Sequence, residues 1–113
     1  MGITKTSGFS NRIVKMADTL KVLGHPARLS IMEYLANTPN CVGNDLVDEF
    51  PLAQPTISRH LSELKRVGLI KGTITGKNIC YCIDSAAWSA FKEEIERISQ
   101  TLFVNKNCVI KKK

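Results

Sequence analysis

The stretch that decides the fold runs Gln54-Pro55-Thr56-Ile57-Ser58-Arg59-His60-Leu61-Ser62-Glu63-Leu64-Lys65-Arg66-Val67-Gly68. Ile57, Leu61 and Leu64 recur at helical spacing with Val67 alongside, so one face is built for a core. Ala53 or Gln54 stands at the capping position, and Pro55 suits a first turn, where its missing N–H goes unused. Gly68 stands where the helix exits through a left-handed backbone that glycine adopts cheaply. The opposite face carries Gln54, Thr56, Ser58, Arg59, Ser62 and Arg66. Short hydrogen-bonding groups and guanidiniums toward a helix N-terminus are what a major-groove helix needs to reach base edges and phosphates. The plainer reading of such a face is an ordinary solvated surface. His60, beside Ile57 and Leu64, reads as a packed histidine and not as a base reader.

Upstream, Gly43 to Phe50 reads as a short helix carrying Leu46, Val47 and Phe50, and Phe50-Pro51-Leu52 turns tightly into the stretch above. Two short helices at a tight turn form a helix-turn-helix. Downstream the apolar period changes from 3.6 to 2, giving strands over Leu69 to Thr75 and Asn78 to Ile83 around Gly76-Lys77. Ile79, Tyr81 and Ile83 share one strand face; Cys80 and Cys82 share the other. This hairpin would be a wing, with Lys77 at its tip placed for a backbone or minor-groove contact that sets affinity and salt dependence. From Gln54 to Asn78 there are five basic residues, Arg59, Lys65, Arg66, Lys71 and Lys77, against the single acid Glu63.

Further out, Ile13, Met16, Ala17, Leu20 and Leu23 form a helical stripe stopped by Gly24. His25-Pro26 opens a second helix with Leu29, Met32 and Leu35 in register and Ile31 flanking. Asp84-Ser85 caps a last long helix whose stripe is Trp88, Phe91, Ile95, Ile98 and Leu102. That stripe is too long for so small a domain to bury alone, so Ile13 and Leu20 with Trp88, Phe91, Ile95, Ile98 and Leu102 are the expected dimer interface. The expected architecture is mainly α with a small β-hairpin, a winged helix-turn-helix dimerising through its N- and C-terminal helices. The division is a flexible N-terminus over 1–11, one domain over 12–103 and a basic tail over 104–113.

The 113 residues leave room for one compact domain, and the formal charge of +6 suits a polyanionic partner. The bland alternative is a basic tail, because Lys106, Lys111, Lys112 and Lys113 supply four of those charges. No apolar run approaches the roughly 20 residues of a membrane span, and nothing resembles a signal peptide, so a cytoplasmic location is expected. In that compartment four cysteines are not expected to be structural disulfides. No paired-carboxylate, Ser/His/Asp or phosphate-loop pattern occurs, and a cysteine nucleophile would lack a general base, so an enzyme is not expected.

Ala17-Asp18-Thr19-Leu20-Lys21-Val22-Leu23-Gly24-His25-Pro26-Ala27-Arg28-Leu29 resembles the opening signature of the ArsR/SmtB family of metal- and stress-responsive repressors. Gln54 to Leu61, Leu64 and Gly68-Leu69-Ile70 resemble its recognition helix and exit into the wing, and Gly76-Lys77 with Ile79 and Tyr81 its hairpin. The resemblance covers about residues 12–103. It implies a homodimer on double-stranded DNA at a palindromic operator, released by an effector. It also implies effector sites that are not intact here. The family's Cys-Val-Cys-Asp-Leu thiolate pair would fall on Val42 and Asn44, with Cys41 out of register by one, and its Asp/His zinc site finds no histidine near Ser85 or Ala87.

What remains is Cys41, Cys80, Cys82 and Cys108 as candidate metal ligands. Thiols without a usable histidine set favour a soft ion, with arsenite or antimonite the preferred effector. Cys80 and Cys82 lie roughly 7 Å apart by the strand rise, too far for an easy disulfide. Small half-buried strand residues and an incidental tail cysteine are the bland alternative. A redox- or persulfide-responsive repressor of the same fold is another. From a different class, a winged-helix protein-interaction module is the rival, against which the basic Arg59, Arg66 and Lys77 argue.

Overall fold

The computed structural model describes residues 8–38, 42–43, 45–75 and 78–104. Its elements run α1 (Asn11–Leu23), α2 (Pro26–Ala36), α3 (Asp45–Glu49), α4 (Gln54–Arg66), β1 (Ile70–Thr75), β2 (Asn78–Ile83) and α5 (Ser85–Val104). The chain is a winged helix-turn-helix: mainly α, with α3 and α4 as the helix pair and an antiparallel hairpin as the wing.

Local chemistry sets the boundaries. Ser10 accepts from the Ile13 amide, so α1 starts at Asn11, just inside the stretch assigned to the N-terminal arm. His25 accepts from the Ala27 amide through Nδ1 at 3.1 Å, capping α2 ahead of Pro26. Asp84 accepts from the Ala87 amide and thereby caps α5, which continues through Val104, the first residue assigned to the tail. At the end of α4, Gly68 takes a φ of 85°, the left-handed region. The Gly68 amide donates to Lys65 O and the Leu69 amide to Leu64 O, satisfying two orphan carbonyls in a Schellman motif. The buried Leu64 and Leu69 supply the apolar contact that accompanies it.

In the hairpin Ile70 pairs with Ile83, Lys71 with Cys82 and Gly72 with Tyr81. Val42 forms a bridge on the other edge of β2, exchanging both backbone hydrogen bonds with Tyr81 at 2.8 Å. The wing is thereby tied to the segment entering α3.

The core lies between α2, α4 and the root of the wing, with Val22 from α1 and Leu46 from α3 closing it. Ile31, Leu46, Ile57 and Leu64 are fully buried, each such side chain contributing about 1.5–3 kcal/mol. One expectation fails here. Leu29, read as part of the α2 core stripe, is 54% exposed, and its neighbour Ile31 is buried completely. The core approaches α2 from the Ile31–Met32–Leu35 side, and a short apolar run cannot show from which side its partner comes.

α5 stands apart: none of its described side chains is buried. An ion pair of Arg12 with Glu94 at 2.7 Å ties it to α1. Beside that pair an open apolar groove of about 350 Å³ is lined by Ile13, Met16, Ala17, Leu20, Ile95, Ile98 and Ser99.

Candidate nucleic-acid interface

The site follows from how α4 is held. Its inner face seats Ile57, His60, Leu61 and Leu64 in the core, which turns the residues between them outward. Gln54, Ser58, Arg59 and Ser62 are exposed together along that outer face, and Thr56 is half-buried beside them. Ala53 has no side chain to cap the helix. Pro55 has no N–H and the Thr56 and Ile57 amides donate to Ala53 O, so the Gln54 amide is what the first turn leaves to point out of the N-terminus. Among the described residues Arg59 makes no ion pair. At the opposite, C-terminal end of α4, Lys65 and, past Gly68, Lys71 on β1 are exposed. Lys77, expected at the wing tip, lies outside the described residues.

Arg66 behaves differently from the rest of the predicted set. It donates to both carboxylate oxygens of Asp18 on α1, at 2.8 and 3.1 Å, and reaches Glu63 at 3.2 Å. These hydrogen bonds hold the Asp18 and Glu63 carboxyls below their ordinary values and raise the Arg66 guanidinium above its own. Two acids therefore answer its charge, and its geometry is that of a strut between α1 and α4.

His60 sits as its place on the wheel suggested, 6% exposed and facing inward. What spacing did not show is its partner. Arg28 of α2 donates from Nε to His60 Nδ1 at 3.1 Å and from Nη1 to Val22 O at 3.4 Å. The His25 ring lies 4.6 Å from that of His60, tilted by 52°. Burial pushes the His60 imidazole below its ordinary value, and the basic groups of His25, Arg28 and Arg59 push the same way. Contacts 32 and 48 residues apart in sequence leave no periodic signal, so neither the Arg28–His60 nor the Asp18–Arg66 pair was legible.

The predicted thiols divide. Cys80 and Cys82 are half-buried and outside any disulfide, and Cys82 shares its strand face with its register partner Lys71. Cys41 and Cys108 lie outside the described residues. Among the described residues no three His, Cys, Asp or Glu side chains stand close enough to share a metal ion. The predicted dimer residues Ile13, Leu20, Trp88 and Ile95 are exposed, Phe91 and Ile98 are half-buried, and the Leu102 side chain lies outside those described. Among the described residues no helix is long and apolar enough to cross a membrane.

Comparison with known proteins bears on this arrangement. Residues 25–71, from the α2 cap to β1, match the bacterial regulatory protein, arsR family. A helix-turn-helix transcriptional regulator of Methanocaldococcus jannaschii is 38% identical over 71 residues, which cover 62% of this chain and 80% of that protein. The chain belongs to the ArsR family. Within the family, the transcriptional repressor SmtB of Mycobacterium tuberculosis is 34% identical over 57% of this chain but only 47% of its own length. The fold agrees with an ArsR-like transcriptional regulator from Rhodococcus, at a TM-score of 0.70 and 22% identity over 81% of this chain and 86% of that one. It also agrees with a homodimeric winged helix-turn-helix DNA-binding domain of Mycobacterium bovis, at a TM-score of 0.62 and 21% identity over 93% and 99% of the two chains. The chain is thus a transcriptional regulator of this family.

Proposed function

We propose that the chain is a homodimeric, sequence-specific repressor that binds double-stranded DNA through α4 and the wing and leaves its operator when a thiol-reactive effector binds. The observation that carries the DNA-binding part is the α4 face. Gln54, Ser58, Arg59 and Ser62 are exposed in one row while the helix is anchored by buried Ile57 and Leu64. Gln54, Thr56, Ser58, Arg59 and Ser62 would read base edges, with Arg59 the strongest single contact. Lys77 would contact the phosphate backbone, and Arg66 would act mainly by positioning α4. Dimerisation is supported by the exposed apolar residues of α1 and α5 and by the homodimeric state of the M. bovis relative.

For the effector, the wing thiols Cys80 and Cys82 are the nearest pair at hand. Val42, the residue after Cys41, pairs with Tyr81, the residue between those two cysteines, which supports Cys41 as a third thiolate. Cys108 would be the alternative third. Three thiolates suit arsenite, antimonite or another soft ion. Emptying an occupied operator requires the effector to prefer the released state by about 5 kcal/mol, which several sulfurs can supply and one cannot. A redox or persulfide response would use the same thiols.

The test is fluorescence anisotropy on duplexes that the protein selects from a random-sequence pool, across a salt series in reducing buffer with and without arsenite. Binding should weaken steeply with salt and be reversed by arsenite, and Cys80→Ser and Cys82→Ser should blunt that reversal without altering binding itself. Failure to select any duplex would leave the interaction-module reading; indifference to arsenite would remove the metalloid part alone.

A further inference from the structure

The joint between α1 and α2 meets the inner face of α4 through one directional contact. Arg28 Nε–H donates to His60 Nδ1 at 3.1 Å, and Arg28 Nη1 donates to the Val22 carbonyl at the end of α1. An imidazole nitrogen can accept only while it carries no proton, so this contact requires neutral His60 with its hydrogen on Nε2. His25, its ring tilted 4.6 Å away, accepts from the Ala27 amide through its own Nδ1. We propose that Arg28 and His60 form a proton-gated clamp that positions α4, closed when His60 is neutral and opened when acid protonates it. The proposal rests on the reading of α4 as the DNA-contacting helix.

The surroundings give the clamp its sign. The groups acting on His60 are basic throughout: His25 at the joint, Arg28 of α2 and Arg59 of α4 itself. The acids nearby are committed elsewhere. Asp18 of α1 and Glu63 of α4 are held by Arg66, and Glu33 of α2 lies on the wall of a different groove, with Trp88. β1 brings only Lys71. Among the described residues no uncommitted carboxylate faces the ring, so protonating His60 places a new N–H against a guanidinium in a buried spot. Burial and the same cations hold the imidazole below its ordinary value, so the clamp stays closed at neutral pH and opens only in acid. The contact is worth having above the unfolded-state titration and is lost as pH falls through the lower folded-state one.

This direction opposes the ordinary one. A protein that binds a polyanion normally gains affinity as its histidines become charged. The clamp predicts that selected duplexes bind more weakly in acid, by about tenfold for each unit that opening the clamp raises the His60 titration. Arg28 and His60 are positioning residues here, and neither is assigned a contact with DNA.

The experiment pairs two measurements on the full chain. Nuclear magnetic resonance follows the His25 and His60 ring protons from about pH 8 to about pH 5, bracketing the ordinary histidine value. Anisotropy follows a pool-selected duplex over the same range. The expected result is a His60 titration below the ordinary histidine value, with α4 amide shifts moving together with it, and about a tenfold or greater loss of duplex binding in acid. His60→Asn keeps an acceptor near the Nδ1 position without a titrating group and should flatten the profile at near-normal neutral affinity. Arg28→Ala, which leaves His60 to titrate alone, should raise the His60 titration toward the ordinary value. The proposal is overturned if α4 shifts ignore the His60 titration, or if duplex binding tightens in acid alike for the parent chain and His60→Asn. If no duplex is bound at any pH, the DNA reading fails on its own, and the resonance titration still decides whether the clamp exists.

Discussion

α4 and α5 carry apolar stripes of similar quality, yet the molecule treats them in opposite ways. α4 sinks Ile57, Leu61 and Leu64 into its own core together with His60, whereas α5 buries none of its described side chains and leaves Trp88 and Ile95 more than one-third exposed. A stripe records that a surface wants to leave water, not which surface it meets. In α4 the partner is in the same chain, which fixes the polar face outward with little freedom to rotate. In α5 only Phe91 packs against that core among the described residues, and α1 leaves Ile13 and Leu20 exposed beside the same groove. One helix is therefore finished by folding, and in the proposed dimer the other is finished by association.

That contrast can be broken at either end. Leu64→Ala removes a side chain with 0% exposure, and it should cost about 2–5 kcal/mol in chemical denaturation. Ile95→Lys lies outside the core and should leave the fold intact while weakening self-association by about 3 kcal/mol, more than a hundredfold in the dissociation constant by sedimentation. A stable Leu64→Ala protein, or a dimeric Ile95→Lys protein, would erase the distinction between the two helices.

Smaller effects sharpen it. Arg59→Ala should lower discrimination between selected and random duplexes by about 1–3 kcal/mol without changing stability. Gly68→Ala meets no side chain within 4 Å, so only the backbone objects; the left-handed φ should cost about 1–2 kcal/mol in thermal melting. Asp18→Asn removes half of an exposed strut and should cost no more than about 1 kcal/mol. The depressed Asp18 carboxyl contributes above its unfolded-state titration and is lost as pH falls through the folded-state one, so Asp18→Asn should flatten only the acid limb of the stability profile.

Much of this was legible in the residues because it is local. Period changes at Gly68 and Asp84, the proline at each of two helix starts, and the Schellman glycine all act within a few positions. The row Gln54, Ser58, Arg59 and Ser62 follows from helix geometry once Ile57 and Leu64 are assigned inward. What escaped is tertiary. Leu29 and Ile31 sit two residues apart on an apolar helix, and only the approach direction of α4 and β2 decides which is covered. Arg66 looked like its neighbour Arg59 until Asp18, on a helix that begins 55 residues earlier, turned out to hold it. The thiols remain the least constrained: Cys80 and Cys82 share a face, and no third donor joins them among the described residues.

The central claim is that two copies, joined along α1 and α5, present two α4 faces to one DNA duplex. Sedimentation equilibrium of the chain with a pool-selected duplex at two salt concentrations tests it most directly. The account predicts two chains per duplex, with affinity falling by about a factor of a thousand or more between about 50 and 200 mM salt if six or more phosphates are contacted. One chain per duplex, or an affinity that ignores salt, would contradict it.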